Sequence, residues 1–277
     1  MAEFILGARL HDYGSGTPDE LFAKVAADGL GAVQLAYKKC GPGVKEYADI
    51  TPELVADTVE AGRRHHVWVG VLGTYVELAI DDEAERRRNL ADFKSQLAVC
   101  GALGAGCIGT ETTSMALQPA GTSRERAQYL LCKSLEEILP EAERLGVTVG
   151  IEPVFWHSMN TPEATRHILD TMQSPALKVI FDAGNLLTAD MVDKQPALWE
   201  RVGSLLGDKI VAVHYKGEAF DEAGNPVSTS LEDSVIDFDS AFEMLRALPQ
   251  KLPVLREEAV PARAASDIAI MRRHCFG

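Results

Sequence analysis

Residues Val147–Asp182 read VTVGIEPVFWHSMNTPEATRHILDTMQSPALKVIFD. The stretch opens on a short apolar run, Val147–Glu152, and closes on a second, Leu177–Asp182. Both are rich in β-branched residues, as strands covered on both faces are. Between them, Thr161-Pro162 is a helix start: an N-cap threonine with proline in the first helical position. The unit is a strand, a helix and a second strand, and each strand ends on an acid, Glu152 and Asp182.

The same unit repeats outward in both directions. Apolar runs at Phe4–Leu10, Gly31–Ala36, Val67–Leu72, Gly106–Thr110, Ile210–Tyr215 and Pro253–Glu257 bring the expected strands to eight. The segments between them read as helices. Thr17-Pro18-Asp19-Glu20 has the form of a capping box, Thr51-Pro52 repeats the Thr-Pro start, and Thr122 to Glu125 repeats the capping-box spacing. Leu90, Phe93, Leu97 and Cys100 form an apolar stripe over Glu83–Leu103; Ala127, Leu131, Leu135, Ile138 and Ala142 form another over Glu125–Leu145. Gly146 stops the second helix, and Pro140 inside it predicts a kink or a break.

Eight strand–helix units in 277 residues predict an α/β fold, a single (β/α)8 barrel with one domain over residues 1–277. A doubly wound open sheet usually has fewer strands and often a Gly-rich turn after the first. His11-Asp12-Tyr13-Gly14-Ser15-Gly16 lacks that spacing. The irregular segments Tyr37–Ile50, Thr112–Gly121 and Lys216–Ile236 all follow strands, and so belong over the face on which barrel sites are built.

Composition narrows the function. Hydrophobic residues make up 46% and charged residues 25%, a globular balance that excludes wholesale disorder. Lys and Arg number 27 against 41 Asp and Glu, a net charge of −14, which argues against a nucleic-acid partner. It leaves room for a small anionic substrate held by one or two basic residues. The basic runs Arg86-Arg87-Arg88 and Arg272-Arg273 read as solvated helix faces. Cys40, Cys100, Cys107, Cys132 and Cys275 are odd in number with no CxxC, the pattern of reduced, mostly buried thiols. The start of the sequence shows no basic leader, and no stretch has the roughly 18 apolar residues of a membrane span. A cytoplasmic protein with no membrane partner is expected; a homo-oligomer is left open.

The chemistry lies at the strand ends. Four successive strands finish on Glu152, Asp182, His214 and Glu257, separated by 30, 32 and 43 residues. Neighbouring strands lie about 4.8 Å apart, so these side chains can converge above the barrel. Three carboxylates that close repel one another unless a cation sits among them. Oxygen and nitrogen donors without thiolate suit Mn2+ first, with Mg2+, Co2+ or Zn2+ as alternatives. Glu257 and Glu258 point to opposite sides of a strand, and Glu257 is preferred. His11 ends the first strand, Glu111 ends the fourth, Trp156 and His157 follow Glu152, and Lys216 follows His214; all five are candidates for substrate contact, and Gln34 and Tyr75 are wall candidates.

Ile151-Glu152-Pro153, Phe181-Asp182-Ala183-Gly184-Asn185-Leu186, Val213-His214-Tyr215-Lys216 and Leu255-Arg256-Glu257 resemble the motifs of the xylose isomerase-like barrel superfamily. Within it, the chain is similar to the sugar phosphate isomerase/epimerase branch, which includes ketose 3-epimerases and inosose isomerases. The resemblance implies metal ligation by Glu152, Asp182, His214 and Glu257, with the two glutamates also moving protons. Asn185 stands where the ketose epimerases usually carry a substrate-contacting histidine, and is expected to contact substrate. Ser158 stands where they usually carry a glutamate.

The expected reaction is isomerisation or epimerisation of a ketose, inosose or keto-sugar, through an enediolate formed by proton transfer next to a carbonyl. The same metal and base can instead expel a leaving group, which would make a lyase or dehydratase. A non-catalytic barrel is the third reading. Endonuclease IV shares the barrel, but its zinc cluster needs more His and Asp ligands and a basic surface.

Overall fold

The computed structural model of the protein describes residues 2–277. Ten strands form in chain order: β1 (Glu3–Arg9), β2 (Ala32–Leu35), β3 (Trp68–Gly73), β4 (Cys107–Glu111), β5 (Val149–Glu152), β6 (Leu177–Asp182), β7 (Ile210–Tyr215), β8 (Gly217–Phe220), β9 (Pro226–Thr229) and β10 (Lys251–Arg256). Eight of them close into a parallel barrel in the order β1-β10-β7-β6-β5-β4-β3-β2; β8 and β9 pair with each other as an antiparallel hairpin. Closure joins β1 to β10, with Glu3 opposite Lys251 and Ala8 opposite Arg256. This is one (β/α)8 barrel.

Around it lie α1 (Pro18–Ala27), α2 (Tyr37–Cys40), α3 (Pro52–His65), α4 (Glu83–Leu103), α5 (Arg124–Leu145), α6 (Pro162–Met172), α7 (Ala183–Leu186), α8 (Gln195–Leu206), α9 (Phe238–Arg246) and α10 (Ala264–Phe276). The Thr-Pro starts behave as their chemistry requires. Thr17, Thr51 and Thr161 each accept a backbone N–H from the first turn, and Glu20 closes the capping box on Thr17. In α5 the cap is Ser123 rather than Thr122, so Glu125 falls one position too early for a box. Thr122 instead donates its hydroxyl to Asp81.

Pro140 does not break α5, which runs from Arg124 to Leu145. Pro140 and Glu136 are both exposed, so the Glu136 carbonyl that loses its N–H partner faces water. α4 and α5 stop at Gly104 and Gly146, both left-handed, with φ of +61° and +67°.

The barrel axis is filled by Ala32, Val71, Cys107, Ile180, Ala212 and Leu255. Gly109 makes room for Ile180, since a Cβ there would come within 2.7 Å of the Ile180 Cδ1. A larger apolar shell lies between strands and helices.

Three further expectations change. Arg86 is fully buried, while Arg87, Arg88, Arg272 and Arg273 are exposed. Arg86 lies four residues before Leu90, hence on the inward stripe. There it donates to Glu83 and to Ser134 Oγ, whose own hydroxyl donates to the Leu78 carbonyl. The first strand ends at Arg9, and His11 lies in a 3-10 turn, Leu10–Tyr13. The Lys216–Ile236 segment carries the β8–β9 hairpin, and Tyr37–Ile50 carries α2.

All five cysteines are free, and all but Cys132 are buried. Among the described residues, no helix is long and apolar enough to cross a membrane.

Candidate active site

β5, β6 and β7 end side by side, with Asp182 in register with His214. Glu152, Asp182 and His214 are buried, and one ligand atom from each lies within 4.8 Å of the others. His214 Nδ1 is 2.9 Å from Glu152 Oε2. Even so, neither ring nitrogen makes a well-directed hydrogen bond, and Asp182 Oδ2 has no hydrogen-bond donor. Burial pulls the His214 ring toward neutrality, but Glu152, Glu257 and Asp182 outweigh it and push its pKa up to about 10. The cluster thus favours positive charge at its centre. Three converging N and O ligand atoms, with the His214 nitrogens and Asp182 Oδ2 lacking hydrogen-bond partners, are a donor set for a divalent metal.

The cluster is braced from one side. Asn185 donates its side-chain amide to Glu152 Oε1. Lys216 donates to Asn185 Oδ1 at 2.6 Å and lies 3.3 Å from Asp182 Oδ2. Asp182 Oδ1 also accepts the backbone N–H groups of Gly184 and Asn185, so the ligand strand end doubles as the cap of α7. Burial lowers the Lys216 ammonium, yet Asp182, Glu257 and Glu152 raise it further, so its charge is firmly held. Glu218, the second residue of β8, is buried beside this group; burial pushes its carboxyl up to about 8.

Glu257 approaches from β10. Its Oε1 lies 3.5 Å from His214 Nδ1 and 3.7 Å from Arg9 Nη1. Glu258 turns away: it is exposed, in a left-handed conformation with φ of +54°, and bonds the Ser228 hydroxyl of β9. Glu257 is thus the one that faces the cavity.

That cavity has a volume of about 130 Å3 and is walled by Glu152, His214 and Glu257 on one side, and by Arg9, Gln34, Lys39 and Tyr75 on the other. Glu111 and Thr110 complete it. Glu111 sits opposite Glu152 across the β4–β5 pairing, 3.7 Å from His157 Nε2. Burial and the nearby Glu152 and Glu257 push its carboxyl up to about 8.

The remaining candidates lie outside the wall. His157 is buried with Nδ1 unpaired, and burial pushes it down to about 4. Trp156 is half-buried and packs edge-on against Phe155, centroids 4.5 Å apart. His11 packs edge-on to Tyr75, and burial together with Arg9 and Lys39 pushes it down to about 4. Asn185 and Lys216 back the cluster rather than line the cavity.

Sequence reasoning missed Arg9, Lys39 and Glu218. Arg9 was within reach, since a charged residue in the last position of a strand is the same signal that singled out the other four. Placing the end of that strand one residue too late hid it. Lys39 and Glu218 lie in segments read as irregular, where no periodicity aims a side chain.

A (β/α)8 barrel with a carboxylate–imidazole cluster at the C-terminal ends of its strands defines the class. The chain belongs to the xylose isomerase-like TIM barrel family, whose model matches residues 22–274. No curated protein matches it in sequence. Solved structures do match over nearly the whole chain. One is the 3-keto-D-glucoside 4-epimerase of E. coli, at 18% identity and a TM-score of 0.74, covering 99% of this chain and 100% of that one. Another is a D-tagatose 3-epimerase-like protein, at 17% identity and 0.76, covering 98% and 96%. A third is the IolI protein with a bound zinc atom, at 16% identity and 0.76, covering 99% and 98%. Likeness at this level of identity establishes the fold.

Proposed function

We propose that the protein is a divalent-metal-dependent isomerase or epimerase of a ketose, inosose or keto-sugar. The observation that carries the reading is the buried Glu152–Asp182–His214 cluster with both imidazole nitrogens unsatisfied at the mouth of the barrel. Similar barrels named as sugar epimerases, and one holding zinc, support it.

Glu152, Asp182 and His214 would hold the cation, with Glu257 as the fourth ligand. Mn2+ is our first choice for this donor set, with Mg2+, Co2+ and Zn2+ as alternatives. When bound, the cation supplies Lewis acidity, polarising a substrate carbonyl and lowering the pKa of the neighbouring C–H. Glu152 ends β5 and Glu257 directly follows β10, and one removes the proton while the other, or the same one, returns it. Asn185 fixes the Glu152 carboxylate through Oε1, leaving Oε2 to act. Lys216, held charged behind the cluster, orients Asn185 and Asp182 and adds a positive field for negative charge that develops in the cavity. Glu111 and His157 would contact hydroxyls at the rim, with His11 and Trp156 farther out. One domain over 1–277, working in the cytoplasm, completes the proposal.

The test is metal content by mass spectrometry in wild type, Glu152→Ala and His214→Ala, alongside solvent deuterium uptake into D-fructose, D-tagatose and inosose. Near-stoichiometric metal in wild type alone, and deuterium at a carbon next to the carbonyl, is the expected result. Product of unchanged mass marks an isomerase or epimerase; loss of one water would assign a dehydratase instead. Wild type that retains no metal after incubation with Mn2+, Co2+ and Zn2+ overturns the proposal.

A further inference from the structure

The cavity has two unlike halves. β5, β7 and β10 bring carboxylates and an imidazole; β1, the end of β2 and the chain after β3 bring Arg9, Gln34, Lys39 and Tyr75. Arg9 spends Nε and Nη2 on Asp12, each 3.1 Å from Oδ1. Asp12 is itself held by the Ala259 N–H at 2.9 Å. That leaves Arg9 Nη1 turned to the cavity with only a long contact to Glu257. The Lys39 ammonium rests on the Tyr75 ring, 3.4 Å from its centroid, and makes no ion pair among the described residues. The Tyr75 hydroxyl in turn accepts from Gln34 Nε2 at 3.1 Å, which fixes the ring beneath the ammonium. The two cations are close enough to feel each other: burial and Arg9 hold the Lys39 pKa down.

Asp12, Glu257 and Glu111 already supply part of the countercharge, but Arg9 Nη1 and the Lys39 ammonium keep N–H donors to spare on one wall. A neutral polyol uses such donors weakly; an oxyanion takes charge-assisted hydrogen bonds from Nη1 and Nζ. We infer that Arg9 and Lys39 form an anion subsite, and that the substrate is a keto-sugar carrying a carboxylate or phosphate. The inference rests on the proposed sugar chemistry for the substrate class, but the subsite itself is defined by binding alone.

The experiment is calorimetric binding of D-fructose, 5-keto-D-gluconate and D-fructose 6-phosphate to the purified protein, with and without added Mn2+. It is run on wild type, Lys39→Met and Lys39→Gln at low and high salt. The expected result is that one of the two anions binds at least 30-fold tighter than D-fructose. That ratio falls to within about threefold in both variants, and shrinks in wild type at high salt. Whether the acid or the phosphate wins identifies the anion. Equal affinity for the neutral and charged sugars in wild type, or a ratio untouched in both variants, overturns the subsite. Deuterium uptake into D-fructose is read in parallel. Uptake without anion preference removes the subsite and leaves the proposed function standing; anion preference without uptake into any sugar does the reverse.

Discussion

At the scale of single residues, Glu257 is the group on which the chemistry turns. It sits between His214 and Arg9 and shares the His214 Nδ1 with Glu152. Glu257→Gln keeps the shape and removes the base. We expect metal to be retained and deuterium uptake next to the carbonyl to fall by about 100-fold or more. Wild-type uptake in that variant would remove Glu257 from proton transfer.

His157 makes a second prediction at this scale. Burial pushes its pKa down to about 4, against about 6.5 in an unfolded chain. The unfolded state therefore binds the extra proton first. The stability tied to the neutral ring is whole above about pH 6.5, and is lost as pH falls toward 4 by at most about 3 kcal/mol. In His157→Gln, urea midpoints plotted against pH should show a shallower acid limb; an unchanged limb would show that the ring charges freely in the fold.

At the scale of elements, much was legible. Eight apolar runs became the eight barrel strands, and three Thr-Pro starts became three capped helices, because both signals are local. What escaped was set by tertiary context. Arg86 shows it best, since three consecutive arginines read as a surface until the helix phase places the first of them on the Leu90 stripe. The β8–β9 hairpin escaped because its strands are four residues each, too short for alternation to stand out. Of the residues that wall the cavity, Glu111, Glu152, His214 and Glu257 were legible at strand ends, whereas Arg9 at the end of β1, Lys39 in α2 and, behind the wall, Glu218 in β8 were not. Pro140 carries the prediction at this scale. It sits in mid-helix on the wet face of α5, where it forfeits a hydrogen bond but clashes with nothing buried. Pro140→Ala should raise stability by about 1 kcal/mol or more in urea denaturation. A loss of stability would mean that the ring's restraint on the unfolded chain outweighs the missing bond.

At the scale of the molecule, the barrel holds only if β1 fits between β10 and β2. Gly7 is the tightest point of that seam. A Cβ there would lie 2.3 Å from the Ala32 carbonyl oxygen and 2.8 Å from the Leu255 Cδ2, so both neighbouring strands would have to part. Gly7→Ala should cost about 2 kcal/mol or more by chemical denaturation, and should loosen Arg9 and Glu257 together. A variant as stable as wild type would show that the seam has slack.

The same seam has a meaning for synthesis. β1 is made before the other nine strands, yet one of its two partners, β10, is made after all of them. Until then β1 presents an unpaired edge, and Arg9 and Asp12 wait for Glu257 and Ala259. A nascent chain halted before β10 would hold most of the helices and the cluster on β5 to β7, but neither a closed barrel nor a second glutamate. The last strand to be translated is the one that converts a foldable sheet into a working vessel.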